Sequence, residues 1–440
     1  MQRTRRNFIK TVAVPLLAAP FILPSCKRST LSGDRLTMGF IGMGKQGTYL
    51  LSKFMNQTQV LAVCDVDTTR RKNAQQIVNN FYTENADKGI ADCDEYNDYR
   101  KLIKRKDIDL ICIATPDHWH GEIMKLSLKA GKDVFCEKPL THNIQEAIDI
   151  INMVDAEKRV LQTGSMQRSS REFRIACELV RNGIIGKIDH VECSFGGPPV
   201  PCDLGEESME PGLDWNMWLG PAPMRPYNSV LSPRGVHTHF PDWRAYREYG
   251  TGGVGDWGAH HLDIAQWGLD MDNSGPVEVL FVDGFATLVY GNGITVTRKE
   301  GGFGVHFFGS DGEVMVNRSR IKVIVNGETI AAFINRKESP GTSLAAELDK
   351  AEQMFLTDAK IKLYDSKNHY DDFLSCVASR TKPITSEQVG GRTAICCHLM
   401  NQLYYHNQTI KWDPVNFKFT DGTGDPAWLT RDYRDWTKEM

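Results

Sequence analysis

The chain has 440 residues, 41% of them hydrophobic and 24% charged, with a formal net charge of −3. That length suits about two domains, each able to bury its own core. The near balance of charge offers no basic face for nucleic acid, which leaves an enzyme or a small-molecule binder.

Residues 1–33 read as an export segment and linker. Arg5-Arg6 precede Phe8-Ile9-Lys10 and an apolar run from Thr11 to Leu23. The run is short for a bilayer span and is interrupted by Pro15 and Pro20. It resembles a twin-arginine signal, a route that carries proteins already folded, and implies a periplasmic destination. Leu23-Pro24-Ser25-Cys26 resembles a lipoprotein cleavage box, although Pro24 departs from the usual residue there. A lipid on Cys26 would tether the chain to a membrane without a spanning helix. The other ten cysteines form no Cys-x-x-Cys pair, and several sit in strand-like runs, so they read as buried free thiols.

From residue 34 to 160 strands alternate with helices. The strand ending at Ile41 runs into Gly42-Met43-Gly44-Lys45-Gln46-Gly47 and then a helix to Phe54. Strand, tight turn and helix N-terminus in that order suit a pyrophosphate. The next strand, from Val60, ends at Asp65, 23 residues after Gly42, where an acid for the adenosine ribose belongs. Asp65 favours NAD over NADP, while Arg70, Arg71 and Lys72 nearby leave a 2′-phosphate open. Strands at 109–114 and 133–136 follow, ending at Thr115-Pro116 and Glu137-Lys138-Pro139. A doubly wound parallel sheet binds ligands at its strand ends, so Thr115, His120, Glu137 and Lys138 should share one cleft.

The glycine-rich turn, Ala-Val-Cys-Asp65, Thr115-Pro-Asp-x-x-His120 and Glu137-Lys-Pro139 together resemble the Gfo/Idh/MocA (glucose–fructose oxidoreductase/inositol dehydrogenase) family. So do Trp243-Arg244, Gly252-Gly253 and Asp256-Trp-Gly-Ala-His260-His261-Leu-Asp263. The resemblance implies an α/β plus α+β chain: an N-terminal Rossmann domain, then a C-terminal α/β domain at 161–440 with a large, mostly antiparallel open sheet. It also implies a homo-oligomer, dimer or tetramer, through that sheet's outer face, a cis Lys138–Pro139 bond, and catalytic roles for Lys138, Asp256 and His260. Gly42, Met43, Gly44, Gln46, Gly47, Asp65, Thr115, Pro116, His120, Glu137, Lys138 and Gln167 are the candidate cofactor contacts.

Asp256, His260 and Asp263 stand at i, i+4 and i+7, one face of a helix. Flanking carboxylates would favour the protonated histidine and let it accept a hydroxyl proton near neutral pH, while Lys138 steadies charge on the substrate oxygen. Arg168, Arg244, His261 and Asp263 are candidate substrate contacts. Against this stands a structural reading, with the two aspartates capping a helix and His260 in the core. His237, His239, His260 and His261 raise a metal site, but no carboxylate or cysteine follows at ligand spacing, so no metal is expected. Residues 196–241 read as a long loop whose Trp215 and Trp218 could pack on a sugar or simply fill space. Runs at 277–288, 295–298 and 305–316 read as strands, those at 369–379 and 392–405 as helices, and the tail from Trp412 as a surface wrap.

Three functions compete: a dehydrogenase acting on a small carbohydrate or polyol, a redox-neutral glycosidase or lyase using transient sugar oxidation, and a cofactor-binding sensor without turnover. Export bears on the choice, because no free NAD(H) pool exists outside the cytoplasm. A tightly held cofactor and a closed redox cycle follow from it.

Overall fold

The computed structural model describes residues 35–85 and 92–436. The paired arginines, Cys26 and the rest of the expected export segment lie outside them. Elements β1 (Thr37–Ile41), α1 (Lys45–Phe54), β2 (Gln59–Cys64), α2 (Thr68–Glu84), β3 (Asp94–Tyr96) and α3 (Tyr99–Ile103) open the fold. They are followed by β4 (Leu110–Ile113), α4 (His120–Lys129), β5 (Asp133–Cys136), α5 (Ile144–Ala156) and β6 (Leu161–Thr163). The six strands are all parallel, in the order β3-β2-β1-β4-β5-β6. β2, β4 and β5 are buried at every residue, as strands covered on both faces must be. Asp67 and Asn143 accept backbone amides at the starts of α2 and α5. α1 starts at Gly44 with no side-chain cap, which leaves its first amides for a ligand.

The second part contains α6 (Arg171–Arg181), β7 (Ile188–Ser194), α7 (Trp215–Leu219), α8 (Gly252–Asp256) and α9 (Gly258–Gly268). Then come β8 (Pro276–Val282), β9 (Phe285–Tyr290), β10 (Thr295–Lys299), β11 (Val305–Gly309), β12 (Gly312–Asn317), β13 (Arg320–Val325) and β14 (Glu328–Phe333). Helices α10 (Leu344–Phe355), α11 (His369–Ser379) and α12 (Glu387–His406) and strands β15 (Ile410–Asp413) and β16 (Lys418–Phe419) complete it. Its ten strands form one sheet, β14-β13-β12-β11-β7-β10-β9-β8-β15-β16. Neighbours are antiparallel apart from β7 and β10. Along β11, Val305 and Phe307 are buried while His306 and Phe308 are half-buried, so one face packs on the helices and the other stays open.

Two expected strands prove to be hairpins. Residues 277–288 turn at Asp283-Gly284 and residues 305–316 turn at Ser310-Asp311, where Asp-Gly and Ser-Asp-Gly are the local turn signals that divide each run. The run from Asp256 to Asp263 is not one helix either, because the chain breaks at Trp257 between α8 and α9. The tail does more than wrap. Beyond β16 it crosses to the first sheet, where Trp436 packs edge-on against Trp119 with centroids 5.0 Å apart. Arg431 donates to the His118 carbonyl at 2.9 Å, and Arg434 to that of Gly220. The ten described cysteines are all unpaired, and all but Cys202 are buried.

Candidate active site

The glycine-rich turn is shaped by what its side chains would strike. A Cβ on Gly42, whose φ is +90°, would lie 2.7 Å from the backbone of Ala114, and one on Gly47 would strike the Gly42 carbonyl. One on Gly44 would meet nothing within 4 Å. The first and third glycines thus let strand and helix close on each other, and the second leaves room for a ligand. Asp65 is fixed beside the turn, accepting the amides of Met43 at 2.7 Å and Asp67 at 2.9 Å. Burial raises its pKa, against the pull of Arg70.

Gly42, Gly44, Gln46, Asp65, Thr115 and Pro116 line one groove across the strand ends. The Thr115 hydroxyl is buried there without a protein partner, and that group, with the open space at Gly44, fits a dinucleotide lying in the groove. Three expected cofactor contacts stand behind it instead. Met43 is buried beneath the turn and gives its amide to Asp65. His120 faces the carbonyls of Pro139 (2.8 Å) and Thr115 (3.0 Å) and braces both. The Gln167 amide, oriented to satisfy its neighbours, donates to the His260 carbonyl and accepts from Arg318 Nε. All three are held inward because they supply bonds that shape the groove.

The long segment from the second domain roofs this groove. Trp218, Ser232, Pro233, His237, Phe240 and Trp243 line its outer wall. Arg70 of α2 ties the roof down: its guanidinium donates to Ser232 Oγ (3.2 Å), the Pro233 carbonyl and the Gly235 carbonyl (3.1 Å). Farther along, Thr68 donates to the Gly212 carbonyl and Asn97 to Asp214, both at 2.9 Å. Phe240 is pinned between Lys45 and Arg244, 4.1 and 4.9 Å from its ring centroid. Trp215 and Trp218 do not stand free for a sugar. They stack on each other at 4.7 Å inside a small buried cluster, because the loop needs a core of its own.

Beyond Gln46, Ala114 and Thr115, which belong to both spaces, the groove opens into an inner cavity of about 190 Å³. Lys138, Asp256 and His260 meet there with Glu137 and Arg244. Lys138 follows β5 with a cis bond to Pro139, and its ammonium donates to the Asp256 carboxylate and, at 3.0 Å, to the Asp256 carbonyl. Burial alone would raise the pKa of Asp256, but the adjacent Lys138 holds it below the ordinary carboxylate value. Glu137 accepts from Gln46 at 2.7 Å, joining β5 to α1. Its pKa is raised by burial.

His260 departs from the expectation that carboxylates would favour its charged form. Burial, then the cations of Lys138 and Arg318, push it well below the ordinary value, so it is neutral. The carboxylates are spent elsewhere: Asp256 on Lys138, and Asp263 on Arg168. That last pair corrects two expected substrate contacts. Arg168 and Asp263 are both buried and joined at 2.8 Å. Asp272 takes the other edge of the guanidinium at 2.7 Å, and Thr393 donates to Asp263, so the pair locks the short helical turn Met166–Ser169 to α9 behind the site. His261 faces a neighbouring cavity rather than the inner one.

Among the cavity residues without an assigned role in the sequence, Asp117, Trp257 and Arg318 carry chemistry. Asp117, inside the quoted Thr-Pro-Asp motif, is buried, accepts from Thr251 Oγ1 at 2.9 Å, and is raised by burial to about 7. Trp257, inside Asp-Trp-Gly, is 43% exposed at the cavity wall. Arg318 arrives from the β12–β13 turn, and no local sequence signal marks it.

A parallel 3-2-1-4-5-6 sheet whose glycine turn faces a roofed groove defines a dinucleotide-binding fold of the Rossmann type, with a lysine, aspartate and histidine cluster at the inner end of the groove. A family model described as an oxidoreductase family, NAD-binding Rossmann fold, matches residues 36–165, and one described as its C-terminal alpha/beta domain matches residues 202–288. Both matched stretches, 36–165 and 202–288, are thus similar to the two domains of the Gfo/Idh/MocA oxidoreductase family, the first of them an NAD-binding Rossmann fold. Among curated proteins it is 28% identical over 164 residues to a glycosyl hydrolase family 109 protein 2 of Shewanella sp. strain ANA-3, covering 37% of this chain and 35% of that protein. It is 25% identical over 214 residues to a glycosyl hydrolase family 109 protein of Shewanella pealeana, covering 44% and 46%. The matches therefore span less than half of those relatives. Among solved structures, levoglucosan dehydrogenase with NADH and levoglucosan superposes with a TM-score of 0.57 at 18% identity, over 86% of this chain and 99% of that one. Aldose–aldose oxidoreductase of Caulobacter crescentus with glycerol gives 0.55 at 16%, over 86% and 100%. These two likenesses are of fold.

Proposed function

We propose that the protein transfers hydride between a tightly held nicotinamide dinucleotide and a hydroxyl- or keto-bearing carbon of a sugar, polyol or glycoside. The observation that carries this reading is the meeting of Lys138, Asp256 and His260 at the inner end of the dinucleotide groove. The bound nicotinamide would supply the hydride acceptor or donor. Lys138, aimed by Asp256, donates to the substrate oxygen and steadies negative charge forming on it. His260, neutral and at the cavity wall, receives the hydroxyl proton when the substrate is oxidised and returns it in reduction. Arg244 lies 4.0 Å from the Asp256 carboxylate and is placed to hold substrate oxygens. Asp65 in the groove supports NAD. Arg70 is committed to the roof and Arg71 pairs with Glu95 at 2.6 Å, so neither is free for a 2′-phosphate.

A redox-neutral glycosidase is the second reading, favoured by the names of the curated relatives. The roof supports retention of cofactor in either case. Export by the twin-arginine route, a lipid at Cys26 and a homo-oligomer through the open sheet face belong to the same proposal; the first two rest on the sequence pattern and the third on the family resemblance. Mass spectrometry of denatured protein should release NAD(H), and added sugars should change absorbance at the reduced-nicotinamide band. Cofactor-free protein inert to sugars, polyols and glycosides would end both readings. Cleavage of aryl glycosides without net reduction would select the second.

A further inference from the structure

Trp257 has cavities on two sides. It lines the inner cavity with Lys138 and His260, and also a second cavity of about 390 Å³ whose wall includes Ser194, Gly197, His261, Arg298 and Glu300. It is the most exposed tryptophan among the described residues that line either space, and the Arg318 guanidinium lies 4.7 Å from its ring centroid. An exposed indole beside polar groups presents the apolar face and polar rim that a sugar ring needs.

The second cavity has the polar equipment to match. His261 gives its Nδ1–H to the Ser194 carbonyl at 2.7 Å, so Nε2 carries a lone pair. That nitrogen is buried and has no partner. Arg298, also buried, donates to Glu300 at 2.7 Å, placing a cation and a carboxylate side by side. An unfilled acceptor, a fixed cation and a carboxylate are the groups that read several hydroxyls at once.

Resting on the function proposed above, we infer that the substrate is a glycoside of at least two sugar units. The unit that exchanges hydride lies between Lys138 and His260. Its neighbour stacks on Trp257 and reaches the second cavity, where His261, Arg298 and Glu300 take its hydroxyls. Trp257 is then the residue that sets preference for substrate length.

The test compares holoenzyme turnover of monosaccharides with that of disaccharides of the same reacting unit, read as kcat/KM. Disaccharides should be favoured by about tenfold or more, as expected when binding outside the reacting centre contributes to catalysis. Trp257→Ala should erase most of that ratio while the protein still carries NAD. Gly197→Phe is a second variant that fills the cavity: a Cβ there meets only Arg298 Nη2, at 3.7 Å, so the backbone tolerates it. It should lower the ratio in the same way. Equal or better turnover of monosaccharides by the unaltered protein overturns this inference and leaves the proposed function standing. So does a ratio unchanged in Gly197→Phe. No reaction with any sugar, polyol or glycoside overturns the proposed function itself.

Discussion

Lys138 donates to both the carboxylate and the main-chain carbonyl of Asp256, tying the end of β5 in the first sheet to the end of α8 in the second domain. The ammonium is thereby placed by two acceptors rather than one. Its aim depends on where α8 ends as well as on the Asp256 side chain. Lys138→Ala should lower hydride exchange by about 10²–10⁴-fold, the usual scale for a lost acid or electrostatic group. NAD content by mass spectrometry should stay near stoichiometric. Asp256→Asn should cost less, because the carbonyl contact survives, and should raise KM less than it lowers kcat.

The three glycines of the turn should separate binding from folding. Gly44→Val places its side chain where nothing stands within 4 Å, so melting temperature without cofactor should hold while NAD is lost. Gly47→Ala forces a Cβ onto the Gly42 carbonyl and should destabilise the fold by roughly 1–3 kcal/mol through overpacking. Thermal denaturation paired with cofactor analysis checks both. Equal loss of NAD without loss of stability in Gly47→Ala would contradict the packing argument.

Arg70 contacts the roof at three points, so Arg70→Ala should speed cofactor release. The dissociation rate, followed by NADH fluorescence in a chase, should rise about tenfold or more, since interface changes act mostly on departure. Hydride exchange within the bound complex should fall far less than in Lys138→Ala, because Arg70 lines the groove away from the inner cavity.

Acid should unfold the protein through its buried histidines. Burial lowers His118 and His398 to about 3, and His261 and His369 to about 4. Their folded pKa values lie below the unfolded one of about 6.5, so the stability they favour is present above that pH and is lost as pH falls toward 4. Asp117 works in the opposite sense. Its pKa is raised to about 7, so its stability is present below the unfolded value and lost as pH rises through 7. Asp117→Asn, which can still accept from Thr251, should therefore gain roughly 1–4 kcal/mol over the natural protein at pH 8 and nothing near pH 4. Denaturant titrations at both values decide it.

The parallel sheet was legible because its signals are local: buried strands such as Asp133–Cys136 read as continuous apolar runs between turn residues. The Asp256–His260 pair was legible for the same reason. What escaped depends on distant partners. His260 looked acid-flanked in sequence, yet Asp263 answers to Arg168 and Asp272, and the charges facing the histidine are cations. Arg318 joins the cavity only because a ten-stranded sheet brings one hairpin turn beside β5, and no window of residues encodes that. Trp215 and Trp218 advertised a sugar platform by composition, but a long loop buries its largest rings first to hold itself together.

The contact of Arg431 with the His118 carbonyl joins positions 313 residues apart. Trp119, covered by Trp436, also lines the dinucleotide groove. During synthesis the first sheet can therefore assemble early while that wall of the groove still lacks its backing. The roof segment and the crossing tail leave the ribosome only afterwards, so the order of translation sets the order of closure. A groove walled in part by Trp119 is therefore complete only once the last described residues of the chain are in place.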